Sequence, residues 1–78
     1  MSLEKLNSMW FHTIDEEGQI KYQGQIIEVF NDKLFLAQLY DYVVGMKNGL
    51  RLMNFENVTL EIYDTDKKMR DEYNRRNR

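Results

Sequence analysis

From Trp10 to Tyr63 apolar and polar residues alternate in short runs separated by polar, glycine-bearing turns, the period of half-buried strands. The pattern predicts an all-β chain closed by one short C-terminal helix. Met9 to Ile14 is rich in strand formers, and Asp15-Glu16-Glu17-Gly18 after it reads as a hairpin turn. Gln19 to Phe30 resumes the alternation; Gly24 inside it predicts a bulge or sharp bend. After the turn Asn31-Asp32-Lys33, the longest strand candidate runs from Leu34 to Val44. Its nearly apolar face, Phe35, Ala37, Leu39 and Val43, broken by Asp41, is assigned to the interior, and its mixed face, Leu34, Leu36, Gln38, Tyr40 and Tyr42, to the exterior. Gly45 to Gly49 reads as a loop, with Asn48-Gly49 the pair that a tight hairpin turn prefers, and a fourth strand follows from Leu50 to Phe55. Glu56-Asn57-Val58 breaks the period as a single 3₁₀ turn does. Thr59 to Tyr63 is then a fifth strand, with Leu60 and Ile62 inward.

Thr65 or Asp64 suits a helix cap and Asp66 its first turn, so a helix is expected over about residues 65–75. Met69 and Tyr73, at i and i+4, give it one narrow apolar stripe, and Asn74 to Arg78 have nothing to bury and are expected to fray.

Seventy-eight residues suit one domain, near the lower limit for a core without disulfides or metal. Cysteine and proline are absent, so disulfides and thiolate-bound zinc are excluded, and a cytoplasmic setting is the default expectation. No apolar run has the length of a membrane span, which predicts a soluble protein without membrane contact. The net charge of −2 conceals a split: residues 1–66 hold five Lys/Arg against eleven Asp/Glu, and residues 67–78 hold six against two. An acidic body therefore carries a basic tail, either because the helix dipole favours cations at its C-terminus or because the tail is a nucleic-acid arm.

Five short strands, a bend in the second, a tight turn between the third and fourth and a one-turn break before the fifth resemble the plan of an SH3-like barrel, here about residues 9–63. Tyr22-Gln23-Gly24-Gln25-Ile26-Ile27 and Leu39-Tyr40-Asp41-Tyr42 resemble the Tudor branch, in which an aromatic opens the second strand and an aromatic-Asp-Tyr-Gly-Asn segment ends the third. In this chain Val43-Val44 intervene before Gly45, and Met46 stands in place of the Asn. The stretch Tyr22 to Ile27 is also similar to the Trp-Gln-Gly-Gln-Ile-Val segment of plasmid-encoded type II dihydrofolate reductases, whose Val-Gln-Ile-Tyr substrate motif lies on the fourth strand. Leu50-Arg51-Leu52-Met53-Asn54-Phe55 stands there in this chain, and Ala37-Gln38-Leu39-Tyr40 falls on the third strand. An oligomeric reductase-like enzyme is thus the remote alternative, on analogy of fold.

No constellation for catalysis, metal ligation or cofactor binding stands out. His12, the lone histidine, has no base-nucleophile partner near it in sequence and reads as a partly exposed strand residue. Asp15, Glu16 and Glu17 lack the alternating ligands of a calcium loop and read as a solvated turn. The better lead is aromatic. Trp10, Tyr22, Tyr40 and Tyr42 beside Asp41 form a candidate binding surface, since aromatic faces next to a carboxylate hold cations or stack on peptide side chains and bases. These rings could equally cover the exterior or pack under the helix, with Met69 and Tyr73 docked on that face.

The leading expectation is a non-enzymatic module that binds a protein partner through the outward aromatics, with a homo-oligomer as an open alternative. The second is a nucleic-acid accessory protein using Lys67, Lys68, Arg70, Arg75, Arg76 and Arg78 of the tail. On an acidic body that tail could instead fold back on its own chain or reach a neighbouring copy.

Overall fold

The computed structural model describes residues 3–41 and 46–76. Its strands are β1 (Trp10–Ile14), β2 (Ile20–Val29), β3 (Leu34–Asp41), β4 (Met46–Asn54) and β5 (Thr59–Tyr63), followed by the helix α1 (Asp66–Arg76). Short 3₁₀ turns occupy Leu3–Leu6 and Phe55–Asn57. All pairings are antiparallel, in the order β4-β3-β2-β1-β5. This all-β sheet with one short C-terminal helix is compatible with an SH3-like barrel. No described helix is long and apolar enough to cross a membrane.

The turns form where short polar side chains replace backbone partners. Asp15 accepts hydrogen bonds from the Glu17 and Gln19 amides at 2.9 Å each, and Gly18 takes φ +80° to close the hairpin. Asn31 accepts from the Lys33 and Leu34 amides at 2.7 and 2.9 Å. Asn54 accepts from the Glu56 amide at 2.8 Å and so caps the 3₁₀ turn expected there.

Two irregularities lie elsewhere than the pattern predicts. The slip in β2 against β3 falls between Ile26 and Glu28 rather than at Gly24. Gly24 serves a close approach instead, since a Cβ there would stand 2.1 Å from the Gln38 carbonyl oxygen on β3. Likewise Asn48-Gly49 is not the hairpin turn. β4 begins at Met46, and the pair lies at a register slip opposite Gln38 and Tyr40, with Gly49 at φ +99° and its carbonyl accepting from Gln38 Nε2 at 2.9 Å. A bulge and a tight hairpin turn both demand positive φ, so composition alone cannot tell them apart. Tyr42, Val43 and Val44, expected to end the third strand, and Gly45, expected to open the loop, lie outside the described residues.

The core is built as the alternation of β3 predicts. Phe11, Ile26, Phe35, Ala37, Leu39 and Met53 are buried together, and Leu60 and Ile62 pack against them. Phe35 sits edge-on to Phe11, with centroids 6.0 Å apart, and packs on Phe55 at 4.5 Å. α1 contacts β1 and β5, and Met69, its one buried residue, is fully enclosed outside that core cluster. Thr65 caps the helix by accepting from the Lys68 amide at 3.2 Å. Of the residues expected to fray, Asn74, Arg75 and Arg76 are helical, and Arg76 is tied to Glu61 as described below, whereas Asn77 and Arg78 lie outside the described residues.

Candidate functional site

Strand parity decides which chemistry the sheet exposes. Phe11 points into the core, so Trp10 and His12 take the opposite, outer face, where their cross-strand neighbours are Gln25 and Gln23 on β2 and Tyr63 and Glu61 on β5. α1 contacts the β1–β5 side of the sheet.

Under the helix lies a polar cluster that the sequence does not announce. His12 is fully buried rather than partly exposed. Its Nδ1 lies 3.1 Å from the Tyr63 hydroxyl, which donates to Glu61 Oε2 at 3.2 Å. With the phenolic proton committed to Glu61, the His12 proton belongs on Nδ1, and Nε2 is left as a buried acceptor. Among the described residues neither it nor the buried Gln23 Oε1 meets a partner in good hydrogen-bond geometry, although the Gln23 side chain acts on the imidazole. Arg76 binds both Glu61 oxygens at 2.5 and 2.7 Å, Glu72 at 2.8 Å and the Gly18 carbonyl at 3.3 Å, which ties the helix end to the sheet and to the first hairpin.

These surroundings set the titrations. Burial pushes His12 below its ordinary 6.5, outweighing the Glu61 carboxylate that acts the other way. Burial, then the Glu61 charge, pushes the Tyr63 phenol from 10.0 up to about 12. Hydrogen bonds from Arg75 and Arg76 bring Glu72 from 4.5 down to about 2. For His12 the unfolded chain takes the proton first, so its contribution is complete above pH 6.5 and declines as pH falls through the lowered value. Glu72 adds a decline between 4.5 and about 2, and Tyr63 one as pH rises from 10.0 to about 12. Melting temperature against pH should therefore show a plateau above 6.5 with a fall on either side, and His12→Gln should remove the slope just below 6.5. A slope that survives in a folded His12→Gln would assign it to another group.

Beyond the helix the outer face carries the aromatic pair Trp10 and Tyr40, with centroids 5.3 Å apart and planes inclined at 42°. Tyr40 and Asp41 also line a cleft of about 310 Å³ with Tyr22, Gln23, Leu39 and Tyr73. Of the expected site residues, the fold thus brings Trp10 to Tyr40, and Tyr22, Tyr40 and Asp41 to one cleft; Tyr42 lies outside the described residues. Tyr22 is not stacked with Trp10. Its ring carries the Arg51 guanidinium at 5.0 Å and Lys21 Nζ at 5.6 Å, and its hydroxyl accepts from Arg51 at 3.2 Å. A larger cavity of about 540 Å³ runs along the first hairpin, between Asp15, Glu17, Tyr22 and Val58.

Gln23 and Glu61 are the site residues that periodicity does not single out, while Tyr73 is legible only as part of the helix's apolar stripe and Arg76 only as one of the basic residues of the tail. Glu61 reads only as the polar position between Leu60 and Ile62, and its partner Arg76 lies a strand end and a helix away.

The tail is drawn into ion pairs: Lys67 with Asp71 at 2.8 Å, Lys68 with Asp64 at 3.0 Å, Arg70 with Asp66 at 2.8 Å, and Arg75 with Glu72. Arg78 lies outside the described residues. Among the described residues no group of three or more His, Cys, Asp or Glu is placed to hold a metal ion. No family model matches the chain, and neither a curated protein nor a solved structure matches it.

Proposed function

We propose that this chain is a binding module that takes a protein partner on the outer face of its sheet, around Trp10 and Tyr40, with a cationic side chain of the partner entering the adjoining cleft. The observation that carries this reading is the meeting of the Trp10–Tyr40 pair with a cleft that joins Tyr22, Tyr73 and the Asp41 carboxylate. Tyrosine and tryptophan give large, stiff contact area at low entropic cost and anchor many protein interfaces. The Tudor-like order of Tyr22, Tyr40 and Asp41 along the chain agrees with a surface of this kind. A nucleic-acid partner is less favoured, because carboxylates beside Lys67, Lys68, Arg70, Arg75 and Arg76 cancel much of the positive field that phosphates require.

Trp10 is the only tryptophan, so its emission reports on this surface alone. Peptides selected from an unbiased displayed library should be enriched in Lys or Arg flanked by apolar residues and should shift that emission on titration. Tyr40→Ala should weaken them about tenfold or more, roughly 1.4 kcal/mol, while the variant remains folded. Peptides that bind a folded Tyr40→Ala and Trp10→Phe as tightly as the parent would place the interface elsewhere.

A further inference from the structure

The sheet ends on one side at β4, and among the described residues no strand pairs with its outer edge. Proteins blunt such edges with lysine, proline, bulges or covering loops. In β4 the bulge at Asn48-Gly49 and Lys47 guard the first half only. The second half, Leu50 to Asn54, has no proline and no carboxylate, and its one charge is drawn away, because Arg51 reaches back over the Tyr22 ring. Its outer face shows Leu50 and Leu52, 62% and 56% exposed, next to Leu36, the cross-strand neighbour of Leu52.

We propose that a second copy of this chain occupies this edge, β4 pairing antiparallel with β4 about a two-fold axis through Arg51. This goes beyond the partner surface at Trp10 and Tyr40 and does not depend on it. The leucines stand symmetrically about Arg51, so a two-fold sets each Leu50 opposite Leu52 of the other copy and joins four leucines into one strip on the outer face. Residue 51 faces its own mate across the axis, where like charges would oppose pairing. The contact with Tyr22 draws the guanidinium off that axis, so the like charges do not meet where the two strands pair. A strand pair and four leucines bury less than the roughly 1,200–2,000 Å² of a standard interface, so the dimer exchanges with monomer in the micromolar range.

Sedimentation of the full chain from about 1 μM to about 1 mM tests this directly. The mass should rise from 9.5 kDa towards twice that value, with concentration-dependent amide shifts concentrated in residues 50–54. Added salt should leave the association intact, because backbone hydrogen bonds and leucine burial hold it together rather than ion pairs. Leu50→Glu with Leu52→Glu should remain monomeric at every concentration with an unchanged melting profile, and Leu50→Ser with Leu52→Thr gives the same comparison should the charged pair fail to fold. A wild-type chain that is monomeric throughout overturns the proposal, as does a folded double variant that still dimerises or a dimer that salt dissolves. A monomer that instead adds an unrelated extended peptide along β4 assigns the edge to another chain and overturns it as well.

Discussion

Gly24→Ala should lower the melting temperature by about 10–25 °C, the largest effect of alanine at any of the described glycines. The added Cβ would stand 2.1 Å from the Gln38 oxygen and 3.0 Å from both the Gln38 carbonyl carbon and Leu39 Cα. All three atoms are backbone, so no side chain can swing aside. The strands must part where Gly24 pairs with Leu39, in the β2–β3 pairing that also aligns Ile26 with Ala37 in the core. Overpacking typically costs about 1–3 kcal/mol where side chains can yield; here about 3 kcal/mol or more is expected, against a total of about 5–15 for a folded domain. The lost freedom of the unfolded chain returns only about 0.4–1 kcal/mol. Thermal melts followed by circular dichroism decide the matter, and an alanine variant that melts with the parent would show that the two strands do not approach so closely.

Met69→Ala should cost about 2–5 kcal/mol and release α1 while leaving the sheet largely intact. Met69 is the one buried residue of the helix, and the helix has few further apolar contacts to hold it down. The exposed i,i+4 ion pairs along α1 are screened by solvent and add little to its hold. The consequence extends beyond lost helicity. With α1 detached His12 is no longer sealed from water, so the stability slope below pH 6.5 should vanish together with the helical dichroism. Met69→Leu, which nearly conserves volume, should keep both. A Met69→Ala chain that retains full helicity and the acid slope would place the anchor of α1 elsewhere, most directly at Arg76.

The strands, the one-turn break before β5 and the inward positions of β3 are legible in the sequence because each follows from a local period or a local turn residue. Alternation tells which face a side chain takes but not what covers that face. His12 alternates like an outward residue and is nonetheless sealed, because a helix 54 positions further along the chain begins the element that lies over it. The same limit hides the Arg76–Glu61 tie, whose two ends belong to different periods, and makes the end of α1 look unanchored. Asn48-Gly49 shows another limit: the residue pair reports a demand for positive φ but not whether a turn or a bulge makes it. Of the candidate surface, the outward placement of Trp10 and Tyr40 follows from parity, whereas Tyr73 reaches the cleft only through the docking of its helix.

β1 lies between β2 and β5, and its bond partner Tyr63 is 51 positions away from His12. On a translating ribosome the first four strands can zip in chain order as successive hairpins, but β1 keeps an open edge and a bare outer face until β5 and α1 have emerged. β5 and α1, made well after β1, therefore close the sheet around it, and a nascent chain halted before Tyr63 displays the Phe11 strand as an unfinished edge to whatever is nearby.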